Sequence, residues 1–188
     1  MNGGKISLIK NNEDRSNIYF SIARGYKQGG FNLGLDATDN SAEESLIYDP
    51  EFLTNYEIGF SSKPDTNFNY STSIFFSKRN DQQVLISKQV DPSDPNTFSF
   101  LTQNAAEGEN YGLEISSNYS ATDNLYIFAN LGILKTKIIN WESRADLENR
   151  AQAHAPQQTY SIGANLDLKN NLYLTFLFCF SNQCHNLL

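Results

Sequence analysis

Cysteine, tryptophan, methionine and histidine are scarce in this sequence of 188 residues, numbering two, one, one and two. Both cysteines, Cys179 and Cys184, lie near the C-terminal end. Their spacing matches no zinc or redox motif and excludes a disulfide framework, so incidental thiols are expected. Basic residues are also short, 14 against 21 acidic ones, for a net charge of −7. That balance argues against nucleic-acid binding, which needs cations to neutralise phosphates. Long apolar runs are missing too. The longest, Leu172 to Phe180, is interrupted by Thr175. A membrane helix needs about 20 apolar residues, whereas a membrane strand needs only about 9–11, so helices are excluded as spans and strands are not. The opening Met1–Lys10 lacks the apolar core of about 7–15 residues that a signal peptide requires, so none is expected there.

What is present tilts toward β structure. The chain holds 10 tyrosines, 13 phenylalanines, 23 asparagines and 19 serines, a composition rich in strand formers and turn formers and too aromatic for disorder. Alternation with a period of two recurs. Tyr111, Leu113, Ile115, Ser117 and Tyr119 share one face against Gly112, Glu114, Ser116 and Asn118. The same pattern runs through Ile18–Ile22, Tyr56–Phe60, Phe68–Phe76, Leu125–Ile133 and Tyr160–Leu168. With Lys5–Lys10 and Leu172–Phe180 this predicts eight strands. All five prolines fall between them, where a missing ladder donor does no harm. Gly59, Gly112, Gly132 and Gly163 lie inside strands, each on the polar face.

The connections alternate. Short turns are predicted at Asn11–Arg15, Lys63–Thr66, Ala121–Asn124 and Asn170–Asn171, and long segments at Tyr26–Phe52, Lys88–Glu107 and Glu142–Gln157. In an antiparallel meander, alternate links lie at the same end of the sheet. One end therefore carries only tight turns and the other every long loop, as in outer-membrane β-barrels. Aromatics near the ends of the apolar stripes and a polar opposite face of Asn, Ser, Glu and Gly also suit a sheet with lipid outside and water inside. A soluble lipocalin-like barrel and a carbohydrate-binding sandwich alternate as well, with the apolar face turned inward.

Several strings then resemble TonB-dependent outer-membrane receptors of the siderophore class. They are Ser21–Asn32 (SIARGYKQGGFN), Tyr48–Phe60 (YDPEFLTNYEIGF), Asp81–Val84 (DQQV), Asn104–Gly108 (NAAEG) with Tyr111–Glu114 (YGLE), and Ala151–Pro156 (AQAHAP). They occur in the family's order. The resemblance implies an all-β, antiparallel transmembrane barrel segment of about eight strands in an up-and-down meander, expected as an open curved sheet because the family's barrels have about 22 strands. It also implies import of ferric siderophores or similar scarce nutrients, with outer-membrane lipid as the surroundings and TonB acting through an N-terminal region that these residues do not supply. On this basis residues 1–176 are assigned as part of a barrel and 177–188 as an atypical tail. The chain is expected to be a fragment, inactive alone. The alternative is a small, self-closing eight-stranded barrel with a structural or adhesive role.

No catalytic, metal-binding or cofactor-binding constellation is expected, and the substrate-binding residues are open. His154 and His185 have no nucleophile or carboxylate pattern beside them. Asp36, Asp39, Asn40, Glu43 and Glu44 form an acidic loop cluster without the glycine of an EF-hand, and are read as a hydrated loop. Lys27–Asn32 lacks the ending and context of a phosphate loop. Arg24 falls on the apolar face beside Ile22, which leaves three readings open: a cation above the hydrocarbon near lipopolysaccharide phosphates, an arginine turned inward by a bulge, or a plain loop-rim arginine without a special role. Glu57, Glu114, Asn118 and Asn165 are expected to face the lumen.

Overall fold

The computed structural model describes residues 2–32, 46–89, 93–141, 144–152, 155–168 and 172–182. Ten strands follow in order: β1 (Gly4–Asn11), β2 (Ser16–Lys27), β3 (Gly30–Phe31), β4 (Ile47–Tyr48), β5 (Glu51–Ser62), β6 (Phe68–Gln89), β7 (Phe98–Thr122), β8 (Leu125–Trp141), β9 (Gln158–Leu168) and β10 (Leu172–Asn182). Eight of them form one sheet in the order β1-β2-β5-β6-β7-β8-β9-β10, while β3 and β4 make a small separate pair. All neighbours are antiparallel. This is the expected meander. It is open, because β1 pairs only with β2 and β10 only with β9. Among the described residues, no helix is long and apolar enough to cross a membrane.

The alternation translates into register. Leu8, Phe20, Ile58, Ile74, Leu113 and Ile133 stand side by side across six strands. Five strands carry outward stripes of equal length: Phe68–Phe76, Tyr111–Tyr119, Leu125–Ile133, Tyr160–Leu168 and Leu172–Phe180. Each matches the roughly 9–11 residues that cross a bilayer as a tilted strand. The outward face is exposed: Leu8 is 75%, Ile58 48% and Ile74 60% accessible. Among the described residues, the only buried apolar side chains are Leu101 and Ala106. A soluble barrel or sandwich requires the reverse, since burying one aliphatic side chain is worth about 1.5–3 kcal/mol. Here the apolar surface is left for hydrocarbon to cover, and the soluble readings fall.

Two predicted boundaries move. The segment Lys88–Glu107 is mostly not loop, because β6 runs on to Gln89 and β7 begins at Phe98. The hairpin pairs through Gln89–Phe98 past a bulge at Arg79–Gln83. There Asp81 takes a left-handed φ of 55°, a conformation Asp tolerates better than most residues. The bulge interrupts the alternation, which is why the sequence period fades while the strands continue. The final strand likewise runs through Asn182 rather than stopping at Phe180.

At the turn end, Asp14 closes the β1–β2 hairpin. Its carboxylate accepts from the Ser16 hydroxyl at 2.6 Å and the Ser16 N–H at 3.1 Å, with Arg15 at φ 61° between them. Those bonds hold the Asp14 carboxyl below its usual value of 3.8.

The strand glycines have a structural reason. Tyr19 lies opposite Gly59, Phe75 opposite Gly112 and Phe128 opposite Gly163, with each ring lying where a Cβ would stand. The inward aromatics cover bare backbone, which compensates for weak glycine propensity. At Gly112 a Cβ also meets the Ile133 carbonyl, which cannot swing away. Gly112→Val is therefore expected to destabilise the sheet by about 1–3 kcal/mol through overpacking. Chemical denaturation checks this, and Phe75→Ala in the same background should recover part of the loss.

Candidate functional site: the inner face and the loop-end clasp

The inner face is polar and connected. The Tyr19 hydroxyl donates to Glu57 Oε1 at 2.5 Å, Asn55 Nδ2 reaches Glu57 Oε2 at 3.4 Å, and the Ser77 hydroxyl donates to Asn55 Oδ1 at 2.7 Å. A second group joins Asn118, whose Nδ2 donates to Asn69 Oδ1 at 2.8 Å and whose Oδ1 accepts from the Tyr126 hydroxyl at 2.6 Å. Ser21 is 2% accessible and Ser77 9%. Glu114, Ser116, Asn130, Gly132, Thr159 and Ser161 line a furrow of about 500 Å³ on this face. Glu57, Glu114, Asn118 and Asn165 thus sit on the face expected of them, on three strands: Glu57 on β5, Glu114 and Asn118 on β7, and Asn165 on β9. They are spread out rather than convergent.

At the loop end the chain builds something the sequence did not announce. Asn104 Nδ2 donates to the Asp49 carbonyl at 2.7 Å and the Asp81 carbonyl at 2.8 Å, while its Oδ1 accepts from the Asp49 N–H at 2.6 Å. Gln83 Nε2 donates to the carbonyls of Gln28 at 2.9 Å and Asp49 at 3.0 Å, and its N–H to Glu51 Oε2 at 3.0 Å. Arg79 lies 3.3 Å from Glu51 Oε1. Asn32, only 7% accessible, exchanges two hydrogen bonds of 2.8 Å with the backbone of Thr102. Four of the quoted strings, around Gln28–Asn32, Asp49–Glu51, Asp81–Gln83 and Asn104, therefore meet in space. Side-chain amides mimic peptide groups, so they can pair main chain that has left the ladder. The result is a clasp binding the departure from β2 and the return into β5 to the extended β6–β7 hairpin.

This arrangement makes Asn104 the centre of the clasp. Asn104→Ala removes three bonds worth about 1 kcal/mol each net. The expected outcome is tryptic cleavage after Lys27 faster by roughly a hundredfold, at the 1.4 kcal/mol per decade that links local opening to rate. Unchanged β circular dichroism would confirm that the sheet is intact.

Other expected residues fall out of the site. Arg24 keeps its outward parity, with its guanidinium carbon 4.3 Å from the centroid of the Phe52 ring, so no bulge turns it inward. Cys179 is a free, exposed thiol. His154, His185, Cys184 and the cluster Asp36–Glu44 lie outside the described residues. No group of three or more metal-ligating side chains occurs among the described residues. The clasp amides and the rings over glycine were missed. The latter left a signal, a polar-face glycine paired with an aromatic.

Similar folds are known. The chain superimposes on the ferric yersiniabactin uptake receptor of Yersinia pestis with a TM-score of 0.67 and 17% identity, over 95% of this chain and 29% of that one. A siderophore receptor of Acinetobacter baumannii gives 0.67 and 19%, over 94% and 25%. The copper transporter OprC gives 0.62 and 14%, over 88% and 25%. This chain therefore spans between a quarter and a third of the length of these solved proteins. Residues 5–181 match the family described as TonB dependent receptor-like, beta-barrel. With its meander, lipid-facing stripe and clasped loop end, the chain belongs to that family of outer-membrane receptor barrels.

Proposed function

We propose that these eight strands are a wall section of a TonB-dependent transporter that imports ferric siderophores or a similarly scarce nutrient. The observation that carries this reading is the clasp, in which receptor-like strings distant in sequence converge to hold the base of a long loop. A rigid loop base suits a protein that captures ligand from outside while its polar inner face lines a passage. The chain's role is passive: it has no enzymatic activity of its own, and TonB contact in such a receptor falls to a segment outside residues 5–181. A self-closing eight-stranded barrel needs β1 paired with β10, and each pairs on one side only.

The test is a chimera in which residues 5–181 replace the matched segment of the yersiniabactin receptor. We expect a heat-modifiable, protease-resistant barrel in the outer membrane. A chimera found only as aggregate, while control grafts from other receptors insert, would refute the wall role. Iron-limited growth on a panel of siderophores then reads which ligand the grafted loops accept.

A further inference from the structure

We propose that a notch on the inner face at the loop end, made by Arg79, Asn110 and Gln152, recognises a secondary amide in the ligand. Arg79 and Gln152 donate to its carbonyl oxygen, and Asn110 accepts from its N–H. The inference rests on the import role proposed above and narrows the ligand to one that carries a peptide group. Among the described residues, three buried side-chain atoms make no hydrogen bond: Arg79 Nε, Asn110 Oδ1 and Gln152 Nε2. Buried polar groups are nearly always paired, because leaving one dry forfeits its bonds to water. Here all three fall in one place.

Register brings them together. Arg79 stands opposite Gly108 across β6 and β7, and Asn110 lies two residues along β7 on the same inward side, between Ser77 and Thr136. Strands lie about 4.8 Å apart and alternate residues about 6.8 Å along a strand, so these side chains share one small patch. Gln152 comes from Ala151–Pro156, the one quoted string that the clasp leaves unused. Its N–H donates to the Thr136 hydroxyl at 2.8 Å. The stretch before it is fastened to β8, where the Ile138 carbonyl accepts from the Asn149 N–H at 2.8 Å and the Ile138 N–H donates to the Arg150 carbonyl at 3.0 Å. Gln152 Nε2 then lies where a Cβ on Gly108 would stand. The glycine makes room for the amide.

The chemistry selects an amide over an anion. Arg79 Nε is 3.3 Å from Glu51 Oε1, so its charge is already balanced. Two donors and one acceptor stay on offer. The clasp shows how this chain uses such atoms: the Gln83 and Asn104 amides donate to main-chain carbonyls, and Asn104 also accepts a main-chain N–H. A peptide group in a ligand presents that same C=O and N–H. The chelating oxygens of a ferric complex do not, because once deprotonated and bound to iron they offer acceptors only. Against them Asn110 Oδ1 would stay unpaired. The notch therefore reads the ligand's backbone, on the inner face just past the Tyr111–Tyr119 stripe, at the end where the long loops emerge.

The experiment uses the full chain in dodecylmaltoside micelles, with circular dichroism verifying strand content and Trp141, the sole tryptophan, reporting binding by fluorescence quenching. The probes are the ferric complex of a tripeptide of N-acetyl-N-hydroxyornithine, the same tripeptide methylated at its peptide nitrogens, and ferric tris-catecholate. We expect roughly tenfold tighter binding of the unmethylated tripeptide, because methylation removes the N–H that Asn110 accepts and keeps the carbonyls and the iron. In N110L the two forms should bind alike at the weaker level, whereas a merely steric effect of the methyl groups would persist there. Q152M should weaken both forms by similar factors and keep the preference, and K63Q at the turn end should change neither. Equal binding of both forms by the parent chain, a preference retained in N110L, or tris-catecholate binding that falls as much in N110L as the tripeptide's would overturn the proposal. So would a chain with intact strands that binds no tripeptide. A chimeric barrel that inserts and grows equally on both tripeptide forms would sink this inference alone, while one that never inserts would sink the wall role and this inference with it.

Discussion

Ile115→Arg, in the chimeric barrel in phosphatidylcholine vesicles, is expected to destabilise folding by about 2–4 kcal/mol, the depth-dependent penalty for an arginine at the bilayer midplane of a barrel. Ile115 is the central outward residue of the Tyr111–Tyr119 stripe, between Thr72 and Leu131 on the flanking strands. Its neighbour Ser116 points the other way, toward the inner face, where it pairs across the ladder with Asn130. Ser116→Arg places the same charge one residue along the same strand and should cost less than about 1 kcal/mol, because water and Glu114 solvate it. Urea unfolding followed by fluorescence measures both. Equal penalties would remove the assignment of lipid-facing and lumen-facing sides, and a reversed order would turn the sheet inside out.

That pair also shows how much was legible in the sequence. A period of two needs no tertiary knowledge, because successive Cβ atoms point to opposite faces whatever the partner strand. The parities of Ile115 and Glu114, and of Arg24, were therefore readable directly. Strand order was readable too, since short turns force neighbours to pair in a meander. The extent of β6 and β7 was not. At the bulge at Arg79–Gln83 the register shifts, so the period of two that marks a strand is broken while the pairing continues. The clasp was hidden for a different reason. Asn104 and Asp49 are 55 positions apart, and an amide that caps a distant backbone carries no local pattern. The strings containing both residues were noticed through family resemblance, while their shared purpose appeared only when the register brought them together.

The largest expected effect concerns the chain on its own: residues 1–188 should support no uptake and should not persist in a bilayer as a single copy. The reason lies at the two edges. β1 (Gly4–Asn11) and β10 (Leu172–Asn182) each leave one row of N–H and C=O groups unpaired. In hydrocarbon each unsatisfied group costs several kcal/mol, which is why membrane sheets close. The β10 edge is also strongly apolar, with Leu174 58% and Phe176 64% accessible. Long apolar edges recruit other strands, so the isolated chain should form edge-to-edge aggregates in lipid unless complementary strands cap it. Expression in a receptor-deleted, iron-starved bacterium, with and without an added signal peptide, checks both parts. We expect no growth on any ferric siderophore and rapid loss of the protein to proteolysis. A rescued culture would refute the dependence on further strands. A monomeric, heat-modifiable and protease-resistant band would instead show β1 closing onto β10, the one arrangement in which eight strands satisfy every edge group by themselves.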